Sequence, residues 1–371
     1  MSQIVVSAAG MRRIASAILA AAGCARDEAD RVAHYLVLAN LTGHDSHGVG
    51  RIPRYLEWMD KGWLKPGQTP SVIAETDAMV LLDGHFGFGQ TLGPRAVAIG
   101  VRKAEAAGTT IVGLRHSGHL GRIGDFAEMA ADAGLVSIHF VNVAGSPLVA
   151  PFGARERRMG TNPLTIGVPV PGAPHLILDF ATSAVSEGKI MVAYSGGPPV
   201  PAASLIGADG RPTADPAGFY GPKRPGHPPD AKRGEGAIRA MGEHKGSGLS
   251  LMIELLAGAL MGSSCAGPLP RPVNNGMLSI YLKPEAFAGR DAFAAEASAY
   301  LDYFRSARPA EGFADVLTPG EPERRMRARR EAEGLPMPEE IWNLILAAGE
   351  RVGLARDALT QLERIADRWN R

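Results

Sequence analysis

Two short segments concentrate groups that exchange protons or bind anions near neutral pH. The first is Gly43-His44-Asp45-Ser46-His47-Gly48-Val49-Gly50-Arg51. An imidazole titrates close to neutrality, so His47 can give or take a proton at working pH. Arg51 offers a planar fork that matches a carboxylate, and the flanking glycines let a ligand approach the backbone. The same residues also suit a polar turn with His47 as a satisfied buried group. The second segment is Arg115-His116-Ser117-Gly118-His119-Leu120-Gly121-Arg122. It lies between a strand and a helix, where helix N-terminal amides favour anionic groups. His119 is a second proton-transfer candidate, and Gly121, Arg122 and Ile123 would lie against a cofactor phosphate or ring. The alternative is a turn capped by Ser117.

Further candidates follow along the chain. Asp179 ends the apolar run Leu176-Ile177-Leu178 and is either a helix cap or a carboxylate that orients a histidine. Gly242-Glu243-His244-Lys245-Gly246 precedes an apolar helix and could hold phosphates, or be an ordinary helix start. The pairs His44-x-x-His47 and His116-x-x-His119 imitate zinc-ligand spacing, which keeps a zinc-dependent hydrolase open as a reading of a different class; no His-Glu-x-x-His motif supports it. Gly87-Phe88-Gly89-Gln90-Thr91-Leu92-Gly93 resembles a dinucleotide fingerprint. Leu92 stands where a glycine or alanine belongs, and Ala106-Ala107-Gly108 occupies the place of the acidic residue expected about 20 positions on. A tight turn is expected there, not a Rossmann fold.

The elements that must position these groups are read from periodicity. Residues 8–41 read as helices with Asp27 as a candidate N-cap, 53–60 as a short helix, and Pro66 and Pro70 as a linker. Residues 78–84, 110–114, 136–141, 164–168, 176–179 and 277–283 read as strands. Residues 91–107, 122–133, 247–262, 286–305 and 338–369 read as helices. Residues 195–235, rich in Pro and Gly, read as a long loop or flap. Strands alternating with helices indicate an α/β or α+β class.

Bulk properties narrow the function. Lys+Arg number 39 against Asp+Glu 38, which gives no electrostatic footprint for nucleic acid or an anionic membrane. No apolar run reaches the roughly 18 residues of a membrane span, and no signal peptide is evident. Two cysteines, Cys24 and Cys265, are too few for a disulfide framework. A cytoplasmic protein is expected.

Five motifs occur together in order: His44-Asp45-Ser46-His47-Gly48, His119-Leu120-Gly121-Arg122-Ile123-Gly124, Gly160-Thr161-Asn162-Pro163, Asp179-Phe180-Ala181-Thr182-Ser183 and Glu243-His244-Lys245-Gly246. In these the chain resembles the type 2 malate/L-lactate dehydrogenase family over nearly its whole length. Val136 to Val141, Val149-Ala150-Pro151-Phe152 and Pro198-Pro199-Val200-Pro201 look like its hydroxycarboxylate dehydrogenase members. The resemblance implies a non-Rossmann NAD(P)-binding domain with a mixed, largely antiparallel sheet over 73–309, and a helical domain built from 1–72 with 310–371. It implies NAD or NADP as cofactor, a small 2-oxo or 2-hydroxy acid as substrate (hydroxypyruvate, glyoxylate or phenylpyruvate) and a homodimer. Malate/L-lactate, ureidoglycolate and cyclic-imine substrates belong to the same family and stay open. The implied cofactor contacts are His47, Gly121, Arg122, Ile123, Ile177, Leu178, Asp179, Phe180, Ala181, His244, Asn275, Gly320, Glu321, Pro322 and Glu323. His47 would be the acid/base, oriented by Ser46 and Asp179, with His119 as rival and Arg51 clamping the substrate carboxylate. Ser247 stands where other members often have an aromatic residue. Arg155, Arg157 and Arg158 could receive a 2′-phosphate, or form a solvated basic loop.

Overall fold

The structure, a computed structural model, describes residues 3–223, 230–231, 233–267 and 272–364. Its centre is a mixed sheet in the strand order Ser71–Glu75, Met79–Asp83, Thr109–Ser117, Asn274–Leu282, Val136–Ala144, Leu164–Val168, Leu176–Phe180. Met79–Asp83 and Thr109–Ser117 run parallel, and every other neighbouring pair is antiparallel. The fold is therefore mixed α/β with a largely antiparallel sheet, as expected. The register explains why the distant motifs meet. Asn275 pairs with Ser117 on one side and Val143 on the other, and Leu164 pairs with both Phe140 and Phe180. The end of Thr109–Ser117, the start of Asn274–Leu282 and the end of Leu176–Phe180 thus share one edge of the sheet.

Helix Gly89–Ala107 and helix Gly124–Asp132 pack on the sheet, burying Leu92, Val97 and Phe126 with Leu114, Val141 and Met277. A second core joins helices Ala8–Ala21, Arg26–Leu41 and Ile52–Asp60 to Glu339–Arg351, through Ile14, Leu36, Tyr55 and Ile345. Among the described residues no helix is long and apolar enough to cross a membrane.

Several expectations need correction. Ala25, not Asp27, precedes the second helix, and Asp27 lies in its first turn. The segment Gly87 to Gly93 is a turn only at Gly87; from Gly89 it is already helix, carrying Gln90 inward. Residues 195–235 are more than a loop. Leu205–Ile206 and Pro212–Thr213 form a small sheet with Ala237–Ile238, and Pro216–Tyr220 is a helical turn. The helix expected at 286–305 begins at Arg290, after Gly289 at φ +88°. That at 338–369 splits at Gly353 (φ +88°) into Glu339–Arg351 and Arg356–Arg364, with 365–369 outside the described residues. The apolar helix from 247 begins at His244 and widens into a π turn over Glu254–Ala259. Helix Glu321–Glu333 was not anticipated. It has no buried residue and hence no apolar stripe; its signal is the spacing of Arg325 with Glu321, Arg327 with Glu331 and Arg329 with Glu333.

Candidate active site

At that sheet edge a cavity of about 1250 Å³ opens between the two cores. Ser46, His47, Arg51, His119, Gly121, Arg122, Ile123, Asp179, Phe180, Ala181, Asn275, Pro322 and Glu323 all line it. Ile177, Leu178, His244, Gly320 and Glu321, which the resemblance also implied, do not. His244 is exposed, its ring edge-on to Phe152 at 5.9 Å, and Glu321 accepts from the Thr318 amide at the start of its own helix.

The loop bearing His47 is two single 3-10 turns, Asp45–His47 and Val49–Arg51. The buried Asn40 fastens both: its Nδ2 donates to Asp45 at 2.6 Å, and its Oδ1 accepts the Val49 amide at 2.9 Å. Arg330 holds Asp45 from outside, at 2.8 Å. Helix Glu187–Tyr194 abuts the loop so closely that a Cβ on Gly188 would collide with Ser46. Glu187 is thereby set 3.6 Å from Arg51 Nη2, while Arg51 Nε donates to the Ser46 carbonyl at 2.6 Å.

His119 enters from the opposite wall. Its Nε2 lies 3.0 Å from His47 Nδ1, and the two rings are parallel. Its Nδ1 lies 2.7 Å from the hydroxyl of Tyr55, which accepts from Gln90 Nε2 at 2.9 Å. Tyr55 and Gln90 are buried. Sequence reading missed both, since Tyr55 reads as the apolar face of a helix and Gln90 sits in the rejected glycine segment. Burial, and next the Arg51 charge, hold His119 down at about 3. Burial, then His119 and Arg51, hold His47 well below the usual imidazole range. Both rings are neutral at pH 7. Burial pushes the Tyr55 phenol up to about 12, so it keeps its proton.

Asp179 does not orient His47. Its oxygens accept from the Gly124 amide at 2.8 Å and Thr165 Oγ1 at 2.7 Å, so it fixes the turn at 121–124. Gly121, at φ +83°, takes a conformation that favours glycine. Buried Arg122 is held by Asp125 at 2.6 Å and Glu128 at 2.8 Å. Asn275 Oδ1 accepts the Leu120 amide and its Nδ2 donates to the Asn142 carbonyl, tying this turn to the sheet. Behind Gly160-Thr161-Asn162-Pro163, buried Glu254 accepts from the Gly160 amide and from Asn142 and Asn162.

The four histidines of the zinc pattern do not gather at one point: His47 and His119 pair with each other, and the other two have partners of their own. His116 stacks on Phe86 and lies 3.2 Å from Asp83, and His44 meets Thr42. Among the described residues no group of three or more His, Cys, Asp or Glu is placed to hold a metal ion. Two of the three arginines are engaged elsewhere: Arg157 donates to the carbonyls of Gly236, Phe219, Gly234 and Ala231 and pins the small sheet, and Arg158 pairs with Glu156. Arg155 lines the cavity.

Known proteins resemble the chain over most of its length. A sequence model of the malate/L-lactate dehydrogenase family matches residues 6–346. Hydroxycarboxylate dehydrogenase B of Escherichia coli K12 is 38% identical over 91% of both chains. The L-lactate dehydrogenase of Cupriavidus necator is 36% identical over 94% of this chain and 98% of its own. Among solved structures, sulfolactate dehydrogenase of Methanocaldococcus jannaschii superposes with a TM-score of 0.82 at 29% identity, covering 95% of this chain and 99% of its own.

Proposed function

Because this chain belongs to the malate/L-lactate dehydrogenase family, we propose that it interconverts small 2-oxo acids and 2-hydroxy acids with NAD or NADP, hydroxypyruvate, glyoxylate and phenylpyruvate being the substrates to try first. The observation that carries this reading is the convergence of His47, His119 and Arg51 on one cavity, which the Gly121–Ile123 turn also lines.

The cavity suits a dinucleotide together with a small acid. At about 1250 Å³ it exceeds the roughly 300–1,000 Å³ usual for a single drug-sized ligand. Its donor set also fits. The turn at Gly121 presents backbone with no Cβ to the cavity, and Asp179 to Ala181, Asn275, Pro322 and Glu323 line the same hollow. These residues would hold the coenzyme. A bound nicotinamide supplies or takes the hydride.

The protein's own groups do the rest. Arg51 binds the substrate carboxylate, its guanidinium aimed by the Ser46 carbonyl. His47 exchanges the proton with the substrate oxygen through Nε2, since Nδ1 is engaged by His119. His119 and Tyr55 hold His47 in place. Residues contributed by a second copy of the chain complete the site in the homodimer, which accounts for the implied contact at His244 lying outside the cavity of a single chain.

The test is a panel. Purified protein is mixed with NADH or NADPH and each of hydroxypyruvate, glyoxylate, phenylpyruvate and oxaloacetate, and loss of reduced-coenzyme absorbance is followed. Turnover of at least one acid is expected; coenzyme binding with no turnover of any acid would make the protein a binder.

A further inference from the structure

Neutral histidines pose a problem for the proposed reaction. Reduction of a 2-oxo acid must put a proton on the substrate oxygen, yet neither His47 nor His119 carries an imidazolium proton at pH 7. The chain of hydrogen bonds behind them supplies an answer, and it rests on the function proposed above.

The orientation of the Gln90 side-chain amide sets its direction, with Nε2 toward Tyr55 and Oε1 buried without a hydrogen-bond partner among the described residues. The hydroxyl of Tyr55 accepts from Gln90 Nε2 at 2.9 Å. Its own proton is then free for His119 Nδ1, at 2.7 Å. A neutral imidazole that accepts at Nδ1 carries its proton on Nε2. His119 Nε2 therefore donates to His47 Nδ1, at 3.0 Å. By the same logic His47 carries its proton on Nε2. Among the described residues nothing is hydrogen-bonded to that nitrogen, and His47 lines the cavity.

We propose that Tyr55 is the proton reserve of the site, delivering its phenolic proton to the substrate oxygen through His119 and His47. As C2 of the 2-oxo acid gains the hydride, its oxygen takes the proton from His47 Nε2. The His119 Nε2 proton moves to His47 Nδ1, and the Tyr55 proton moves to His119 Nδ1. Both imidazoles end neutral, and the charge rests on the Tyr55 oxygen, where Gln90 Nε2 donates to it. When product leaves, water in the cavity returns one proton at His47 Nε2, and the same shifts run backwards to restore the phenol. Protons balance, and neither ring is ever left as an anion.

Burial is the largest influence on the Tyr55 phenol and keeps its proton on at rest; the Gln90 hydrogen bond and the Arg51 charge act the other way and ease its release to the relay. Arg51 is the cation whose charge acts on both Tyr55 and His119, favouring a phenolate and disfavouring an imidazolium. Near His47 stand also His44 and Arg122, which oppose a second positive charge. Tyr55 is clamped on its other sides by Phe88 and Trp58, so its hydroxyl cannot swing away. Tyr55 does not touch the reacting atoms. It acts through the two imidazoles as a positioning residue that also stores the proton.

Two measurements test this, one of them without turnover. In the coenzyme-free protein labelled with 15N-histidine, His47 and His119 should both appear at pH 7 as neutral rings protonated on Nε2, and Tyr55→Phe should abolish that bias in His119. Protonation of His119 on Nδ1 in the unmodified protein would overturn the proposal. In turnover, Tyr55→Phe should lower kcat for 2-oxo acid reduction by about 10²-fold, within the usual range for loss of a positioned proton donor, with KM for coenzyme and acid within threefold. The solvent deuterium isotope effect on kcat should change as well. A kcat within threefold of the parent overturns the proposal, and so does a lower kcat with an unchanged solvent isotope effect and pH profile, since that marks a purely structural role. If Tyr55→Phe does not fold, 3-fluorotyrosine placed at 55 keeps the packing and makes the phenol more acidic; the pH at which 2-hydroxy acid oxidation rises should then move down, and an unmoved profile overturns the proposal. Absence of turnover in the unmodified protein would sink the proposed function instead, while the histidine tautomers would still decide the chain's direction.

Discussion

The rings of His47 and His119 are parallel to within 5°, and Nδ1 of the first lies 3.0 Å from Nε2 of the second. One comes from a 3-10 turn on the helical core and the other from the end of a central strand. Their contact joins the two cores at the cavity, so the pair acts as a unit. His47→Ala should lower kcat by about 10²–10⁴-fold while coenzyme binding, read by fluorescence, stays within a few-fold. His119→Ala should cost a similar factor, and the double replacement little more than either alone. Near-normal turnover of His47→Ala would remove His47 from its assigned role.

In its proposed role Arg51 would be shared between the substrate and Glu187, whose carboxylate lies 3.6 Å away on a helix that Gly188 presses against Ser46. A substrate with one carboxylate can use the free side of the guanidinium. A second carboxylate would meet Glu187, and like charges a few ångströms apart at a partly screened site repel by more than 1 kcal/mol. Glu187→Gln should therefore raise kcat/KM for oxaloacetate relative to hydroxypyruvate about tenfold, the equivalent of roughly 1.4 kcal/mol. An unchanged ratio in steady-state kinetics would show that Glu187 does not select against dianions.

Buried histidines should make the protein acid-sensitive. His139 lies within the sheet, bonded to Ser279 at 2.8 Å and Ser137 at 3.0 Å, and burial lowers it to about 3. In the unfolded chain it titrates near 6.5. Below that pH the unfolded state binds a proton that the folded state refuses, so stability falls as pH falls from about 6.5 toward 3 and is unaffected above. Each such histidine should cost about 2 kcal/mol between pH 6.5 and 5. His47 and His119 add to the same slope. Urea unfolding at several pH values should show it, and His139→Gln should make it shallower over that window.

Arg122 carries another burden. Its guanidinium is buried against Asp125 and Glu128, and burial raises the Asp125 carboxyl to about 7 even with Arg122 beside it. Arg122→Met should destabilise the fold by about 3–5 kcal/mol by stranding Asp125. Adding Asp125→Leu should recover much of the loss. Chemical denaturation of the single and double variants separates a buried-charge effect from lost packing; no recovery in the double variant would point to packing.

Much of this was legible in the sequence because the chemistry sits in short motifs on strand ends. Period-2 runs such as Val136 to Val141 mark the sheet, and the glycine-flanked histidines mark the loops that leave it. What sequence could not give was pairing between motifs. Asp179 looked like a partner for His47, yet the register of Leu164–Val168 against Leu176–Phe180 aims it at Thr165 and the Gly124 amide. Tyr55 is indistinguishable from core at helical spacing, and only the tertiary fold brings it to His119. Arg157 read as a candidate for a 2′-phosphate, yet the carbonyls of Gly236, Ala231, Phe219 and Gly234 engage every nitrogen of its guanidinium. Helix Glu321–Glu333 lacks an apolar stripe, so periodicity passes over it.

Hydride transfer to C2 is the central claim, and isotope transfer reads it most directly. The protein should be supplied with hydroxypyruvate and coenzyme carrying deuterium at both C4 positions of the reduced nicotinamide, and the product examined by mass spectrometry and NMR. One deuterium at C2 of the 2-hydroxy acid is expected, with none arriving from deuterated water in the converse experiment. A product whose C2 hydrogen comes from solvent, or substrate recovered unreduced from hydroxypyruvate, glyoxylate, phenylpyruvate and oxaloacetate alike, would contradict it.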